Sequence, residues 1–110
     1  MYWANEDRIS PYCNPDTYDR GIHLLFGEKD ILRTRFVYDA ILVVCKYIFE
    51  SNPATQRIWG EPKASNKKMI KVSEKIPGWR YVKEFDFPHK RAALLECERG
   101  RFFWEYDRGL

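Results

Sequence analysis

The sequence contains no apolar run that approaches the roughly 20 residues needed to span a membrane. Its longest such run, Ala40-Ile-Leu-Val-Val-Cys45, is far shorter. The first residues, Met1-Tyr-Trp-Ala-Asn-Glu-Asp7, have neither the positive charge nor the apolar stretch of a secretory signal peptide. We therefore expect a protein that has no membrane span, does not act at a membrane and carries no signal peptide.

Cysteine and histidine are too few and too scattered to suggest a metal site. The three cysteines, Cys13, Cys45 and Cys97, form no Cys-x-x-Cys pair, and the two histidines, His23 and His89, lie far apart. We therefore expect no metal cofactor. An odd number of cysteines without a signal peptide is typical of free thiols in a reducing compartment, so the sequence predicts a cytoplasmic protein.

Charge of one sign does not dominate the chain. Lys and Arg number 19 against 16 Asp and Glu, which gives a net charge of +3. This mild excess suits an anionic ligand such as a phosphorylated cofactor, but a nucleic-acid partner would need a more concentrated basic face. The 110 residues, 45% of them hydrophobic, fit one domain with a packed core.

Strand-like and helix-like segments alternate along the chain. The patterns of apolar residues, proline and glycine predict strands over residues 1–4, 20–27, 55–61, 79–87 and 92–97, and helices over residues 35–49 and 67–75. Residues 98–110 suit a short terminal helix. This order predicts an α/β fold with a mixed sheet of about five strands and two main helices.

The first predicted helix has apolar residues at three- and four-residue steps, which indicate one buried face. The residues assigned to that face are Phe36, Val37, Ala40, Ile41, Val44, Tyr47 and Ile48. Pro53 stops this helix. In the second helix, Met69, Ile70 and Val72 are predicted to point inward.

The junction between residues 27 and 35 leads from a strand into a helix, and helix N-termini bind phosphate well. Arg33 and Arg35 strengthen this interpretation, although an ordinary strand-to-helix junction has the same general appearance. His23 lies within the preceding apolar strand. It is either a hydrogen-bonded core residue or a group that accepts a proton near neutral pH. No Walker, Rossmann or Gly-x-Ser-x-Gly motif is present.

Several stretches together resemble one known family, the siderophore-biosynthesis branch of the GNAT N-acyltransferases. The likeness is strongest to fungal-type hydroxyornithine acyltransferases and aerobactin-type hydroxylysine acetyltransferases. The stretches that carry the resemblance are Tyr2-Trp-Ala-Asn-Glu-Asp7, Tyr18-Asp-Arg-Gly-Ile-His-Leu-Leu25, Arg57-Ile-Trp-Gly-Glu-Pro62, Asn66-Lys-Lys-Met-Ile70 and Glu84-Phe-Asp-Phe-Pro-His-Lys-Arg-Ala-Ala-Leu-Leu95.

The resemblance implies that residues 1–110 are a single partial GNAT domain, namely its C-terminal acyl-CoA-binding part. The opening strands and the first two helices of the family have no counterpart in this sequence. Residues 20–27 would be the central fourth strand, residues 35–49 the helix after the pyrophosphate loop, and residues 55–61 the fifth strand. Pantetheine would lie where the fourth and fifth strands diverge.

The implied activity is transfer of an acyl group from acetyl-CoA or another acyl-CoA to a hydroxylamine of hydroxyornithine or hydroxylysine, a small-molecule substrate. His23 matches the histidine of the active centre, which orients or deprotonates the nucleophile. A backbone N–H of the central strand is the expected oxyanion donor. The resemblance implies that the backbone of Leu24, Leu25 and Gly27 contacts pantetheine. It implies that amides near Arg33, Thr34 and Arg35 hold the pyrophosphate. Asn66 would contact the cofactor arm through its side chain.

The sequence also departs from the family pattern. The family usually has an aspartate before the asparagine, as a partner of the histidine, whereas Lys63-Ala-Ser65 contains no carboxylate. Residues 30–35 contain no glycine for the phosphate loop. A second hypothesis is therefore a non-catalytic truncated remnant that binds CoA weakly or self-associates. Because the missing strands would leave a sheet edge exposed, we expect self-association or a partner that covers this edge.

Overall fold

The computed structural model describes residues 2–4, 18–22, 34–88 and 90–109. These residues form five strands and three helices, in the order predicted from the sequence. The elements are β1 (Tyr2–Trp3), β2 (Arg20–Gly21), α1 (Thr34–Ser51), β3 (Arg57–Gly60), α2 (Lys67–Glu74), β4 (Trp79–Phe87), β5 (Lys90–Glu98) and α3 (Arg99–Asp107). The terminal helix α3 confirms the helix expected within residues 98–110.

The five strands form one mixed sheet in the order β1-β2-β3-β5-β4. Strands β2 and β3 are parallel, with Arg20 opposite Ile58 and Gly21 opposite Trp59. The other neighbouring pairs are antiparallel. The predicted α/β class and mixed sheet are therefore confirmed, and α1 is the crossover that parallel neighbours require.

The main core lies between the sheet and the three helices. It combines buried side chains of α1, α2 and α3 with one face of β3 and β5, including Ile58, Ala93, Leu95 and Cys97. As predicted, Met69, Ile70 and Val72 of α2 point into it.

The buried face of α1 differs from the predicted one. Val37, Ile41 and Ile48 are buried as expected, but the stripe continues through Cys45 and Phe49. Phe36 and Tyr47 were assigned to the buried face, and that assignment is wrong, because they are 57% and 64% exposed. Ala40 and Val44 are half-buried. The helix carries apolar residues on two opposite sides, so spacing alone did not separate the side that packs on the sheet.

A β-bulge in β4 explains the imperfect alternation of this strand. Tyr81 pairs with Leu95 and Lys83 pairs with Leu94, so Val82 is an extra residue. An extra residue exchanges the faces to which the following side chains point. Trp79 therefore joins the helix-side core. Phe85 and Phe87, although also odd-numbered, pack in a second cluster on the other face with Trp59, Leu94, Ala92 and Ala4.

A distant arginine completes the C-terminal end of α1. The Arg99 guanidinium donates to the carbonyl oxygens of Phe49 and Asn52, and its Nε donates to the Thr55 carbonyl at 2.7 Å. The last turn of α1 has no basic residue of its own. Arg99 therefore supplies both the missing donors and the positive charge that a helix C-terminus favours. Partial burial lowers the pKa of Arg99.

Candidate acyl-CoA site

The candidate site lies at the edge of the sheet where the two parallel strands end. The Ile22 N–H donates to the Trp59 carbonyl at 3.0 Å, which is the last described link between the strands. Because α1 returns from β2 to a parallel β3, its N-terminus lies at this same edge. Helix α2 begins shortly after β3, so its N-terminus lies there as well. Two helix N-termini, which attract anions, thus face the ends of the parallel strands.

The N-terminus of α1 contains two of the residues predicted to hold pyrophosphate. Thr34 is the first residue of α1, and Arg35 follows in the first turn. The Arg35 side chain is 87% exposed, and its Nε lies 3.2 Å from both carboxylate oxygens of Asp39. No acidic residue lies in the first turn itself, so the partial positive charge of the helix end is not neutralised there.

The N-terminus of α2 is capped by Asn66, the residue predicted to contact the cofactor arm. Its Oδ1 accepts a hydrogen bond from the Met69 N–H at 3.3 Å. This cap uses only the oxygen of the amide. Among the described residues, its Nδ2 group makes no hydrogen bond. Asn66 can therefore cap the helix and donate to a ligand at the same time.

The segment between β3 and α2 is fixed to the sheet by β5. The Lys90 ammonium donates to the Glu61 carbonyl at 2.7 Å. Two backbone hydrogen bonds of 2.9 Å add to this: the Ala93 N–H donates to the Pro62 carbonyl, and the Ala64 N–H donates to the Arg91 carbonyl. These bonds hold the start of α2 at a defined place beside the end of β3.

At the opposite ends of β2 and β3, a buried carboxylate joins the two strands. Asp19 is fully buried, and its Oδ2 accepts from the Arg57 Nε at 3.0 Å and from the Trp59 indole at 3.1 Å. Its Oδ1 accepts from the Arg57 backbone N–H at 3.1 Å. Sequence reasoning missed this group. The available signal was a carboxylate next to a strand, with Arg57 and Trp59 two positions apart and hence on one face of another strand.

The predicted catalytic histidine, the strand residues predicted to bind pantetheine and one residue predicted to hold pyrophosphate lie outside the described residues. These residues are His23, Leu24, Leu25, Gly27 and Arg33. Their roles remain predictions. What the structure does provide is the strand that leads to them and the two helix ends beside it.

The two described cysteines belong to the core rather than to a reactive centre. Cys45 and Cys97 are fully buried, and the Trp79 indole donates to the Cys45 sulfur at 3.3 Å. Burial raises the pKa of the Cys97 thiol well above its usual value. Within residues 2–4, 18–22, 34–88 and 90–109, no group of three or more His, Cys, Asp or Glu side chains could hold a metal ion. Of the helices in these ranges, none has the length and apolarity to cross a membrane.

Comparison with known proteins agrees with this architecture. The chain is 39% identical to an N(6)-hydroxylysine O-acetyltransferase of Escherichia coli over 96% of its length, which is 33% of that relative. It is 38% identical to an N(5)-hydroxyornithine:cis-anhydromevalonyl coenzyme A-N(5)-transacylase of Beauveria bassiana, covering 94% of the chain and 22% of that relative. The chain thus spans a third or less of these two relatives.

Solved structures extend the likeness to the fold. An uncharacterized protein of Bacillus halodurans superposes with a TM-score of 0.86 at 37% identity, covering 96% of this chain and 54% of that one. The aminoglycoside acetyltransferase AAC(6')-Ib, solved with coenzyme A, has the same fold at 21% identity, with a TM-score of 0.68 over 78% of this chain and 49% of that one. The profile of the acetyltransferase (GNAT) domain matches residues 1–87. With that match over most of its length, the chain belongs to the GNAT acetyltransferase domain family.

Proposed function

We propose that the chain is the acyl-CoA-binding part of an N-acyltransferase that acts on the hydroxylamine of hydroxylysine or hydroxyornithine. The observation that supports this most directly is the edge where β2 and β3 end beside the N-termini of α1 and α2. Membership of the GNAT acetyltransferase domain family supports acyl transfer. The names of the two sequence relatives support a hydroxylated amino-acid side chain as the acceptor.

The described residues fit an acyl-CoA. Pairing of β2 with β3 is described as far as Ile22 and Trp59, at the edge where the N-termini of α1 and α2 also lie. The α1 N-terminus and the exposed Arg35 suit the pyrophosphate, and the Nδ2 group of Asn66 suits a carbonyl of the pantetheine arm. The bound acyl-CoA would supply the acyl group as a thioester.

The residues of the chain would prepare the acceptor and stabilise charge. His23 would orient the hydroxylamine or take its proton, a role that imidazole suits near neutral pH. Backbone N–H groups between Leu24 and Gly27 would donate both to the cofactor and to the negative charge that develops on the acyl oxygen. The buried Asp19 carboxylate, which we call the Asp19 clamp, supports this role because it joins β3 to the start of β2, the strand that precedes them in the chain.

The test is release of CoA from acetyl-CoA in the presence of N(6)-hydroxylysine or N(5)-hydroxyornithine. We expect turnover to fall by about 10²- to 10⁴-fold in His23→Ala, since that is the usual contribution of a general base. His89→Ala is the matched control, because it removes the only other histidine. If His23→Ala turns over like the unmodified chain, His23 has no part in the mechanism.

The atom that is acylated needs its own readout. The Escherichia coli relative is named as an O-acetyltransferase, whereas the Beauveria relative is named as an N(5)-transacylase. Acylation at nitrogen gives a hydroxamate, which forms a coloured complex with Fe(III), and acylation at oxygen does not. We expect a ferric complex from the product. A product that releases CoA in equal amount but gives no ferric colour would assign the transfer to oxygen.

The alternative is a non-catalytic chain that binds CoA or associates with other chains. The observation in its favour is that residues 63–65, pinned beside β5, contain no carboxylate to act with His23. The two proposals differ in outcome. Binding of acetyl-CoA without release of CoA under any of these conditions would favour the alternative.

A further inference from the structure

Helix α1 has a second apolar face, which points away from the sheet. Val43 is 65% exposed and Tyr47 is 64% exposed, and Phe36 is also more than half exposed. Ala40 lies between them and is half-buried. We call Phe36, Ala40, Val43 and Tyr47 the outer seam. Large apolar side chains grouped on one exposed stripe mark an interaction surface more often than scattered ones do.

The spacing of the outer seam is that of a helix-pairing surface. Its members follow one another at steps of four, three and four residues, which is the a/d pattern of a coiled coil. In an antiparallel pair of identical helices, an a position packs against a d position of the partner. Phe36 then meets Tyr47 of the second copy, and Ala40 meets Val43 of the second copy. The two large rings form the outer layers, and the smaller side chains form the two central layers.

The charges beside the outer seam favour this antiparallel arrangement. Asp39 and Lys46 flank the seam on one side and occupy equivalent positions one heptad apart. When two copies run antiparallel, Asp39 of each faces Lys46 of the other, so two opposite-charge pairs form by symmetry. In a parallel pair, Asp39 would instead lie beside Val44 of the second copy, and the charges would have no complement.

Both charged groups have partners within the chain. Asp39 pairs with Arg35, and both side chains are more than half exposed. Because exposed ion pairs contribute little to stability, exchanging this pair for an intermolecular one costs little. Lys46 is half-buried, donates to the Tyr106 hydroxyl at 3.3 Å and lies 5.0 Å from the centre of that ring, so the intermolecular pair with Asp39 must form alongside or in place of this contact.

We infer that α1 is a self-association surface on which a second copy of this chain binds as an antiparallel, two-fold symmetric helix pair. The contact involves one helix of 18 residues from each copy. It therefore belongs among small interfaces, which are usually transient. The dimer should accordingly form with a dissociation constant in the range of about 1 µM to 1 mM.

Sedimentation equilibrium of the full chain across that concentration range tests the inference. We expect a reversible monomer–dimer equilibrium that Val43→Glu weakens at least tenfold, because it places a charge in both central layers. Tyr81→Glu is the matched control, since it changes an exposed ring on β4 and should leave the equilibrium unchanged. Circular dichroism of each variant checks that the fold is retained. A chain that stays monomeric up to 1 mM overturns the inference, as does a dimer that Val43→Glu leaves intact.

A charge exchange tests the antiparallel register. Asp39→Lys and Lys46→Asp each place like charges opposite one another and should each weaken the dimer. The double variant restores opposite charges across the two-fold axis and should recover dimerisation. Failure of the double variant to recover it, with both single variants folded, overturns the antiparallel arrangement. Weakening by a substitution on β1 or β4 but not by these would assign association to the sheet edges instead.

Discussion

Replacing Asp19 by asparagine should strongly destabilise the fold, because no amide orientation satisfies the three donors that the described residues place around this side chain. The carboxylate accepts from the Arg57 backbone N–H, from the Arg57 Nε and from the Trp59 indole. Asn has a single acceptor oxygen, so its amide nitrogen must face at least one of these donors. Asp19→Asn thus leaves a buried donor unsatisfied and removes one of the carboxylates that pair with the partly buried Arg57, which keeps its contact with Glu96 at 3.6 Å.

The size of the effect follows from burial. An unsatisfied buried donor costs about 1–3 kcal/mol, and breaking a buried ion pair costs about 3–5 kcal/mol. The Arg57 side chain is still 23% exposed, so water recovers part of this loss. We expect a net loss of about 2–4 kcal/mol, out of the roughly 5–15 kcal/mol typical of a whole domain.

Urea unfolding followed by circular dichroism measures this loss directly. With a slope of about 2 kcal/mol/M, the middle of the usual range of about 1–3 kcal/mol/M, the midpoint should fall by about 1–2 M. Asp39→Asn is the matched control: it makes the same chemical change in a carboxylate that is 53% exposed and should shift stability by less than about 0.5 kcal/mol. Equal midpoints for Asp19→Asn and the unmodified chain would refute the assignment of Asp19 as the clamp between β2 and β3.

Three further predictions concern the packing of α3 and the end of α1. Gly78→Ala should cost more than about 1 kcal/mol, because Gly78 has φ +82° and an added Cβ would lie 2.7 Å from the α3 backbone. Arg99→Met should cost about 1–3 kcal/mol by removing charged hydrogen bonds to carbonyls at the end of α1. The hydrogen bond from Arg101, followed by that from the Gly78 N–H, lowers the pKa of Glu105. Because this pKa is depressed, the stability it contributes is present above the unfolded value of about 4.3 and is lost as pH falls through the folded value. Glu105→Gln should therefore flatten the stability profile below about pH 5.

Controls separate these effects from general loss of structure. Gly109→Ala shares a positive φ of +71° but has no atom within 4 Å of the added Cβ, so its smaller loss isolates the clash at Gly78. Arg108→Met removes an exposed cation that donates to the Trp104 carbonyl at 2.9 Å, and it should cost less than Arg99→Met because water can replace this bond. Thermal unfolding gives the first two comparisons, and urea unfolding at a series of pH values gives the third. The clash at Gly78 is contradicted if Gly78→Ala is no less stable than Gly109→Ala. The role of Arg99 is contradicted if Arg99→Met is as stable as Arg108→Met. The role of Glu105 is contradicted if Glu105→Gln leaves the dependence of stability on acid pH unchanged.

Much of the fold was predictable because local signals and tertiary structure agree. Proline and apolar periodicity placed α1 close to its observed bounds, Thr34–Ser51, and the predicted limits of β4, Trp79–Phe87, are those observed. Helices were predicted over residues 35–49 and 67–75, and the structure shows that the N-termini of both lie at one edge of the sheet.

The parts that were missed depend on contacts distant in sequence. Val82 becomes a bulge only through its pairing with β5, so the change of face in β4 is invisible in the strand itself. The Asp19 clamp and the Arg99 cap each join residues at least 38 positions apart. The buried side of α1 was predicted wrongly for Phe36 and Tyr47 because both sides of that helix are apolar.

Titration of the chain with acetyl-CoA, followed by calorimetry and thermal unfolding, tests the central claim most directly. The account predicts saturable binding, with the folded state stabilised by about 2.7 kcal/mol at a ligand concentration one hundred times the dissociation constant. Asn66→Asp keeps the helix cap but removes the amide donor, so it should weaken binding without loss of stability. A folded chain that shows neither heat of binding nor a thermal shift would contradict the claim that the edge where β2 and β3 end is an acyl-CoA site.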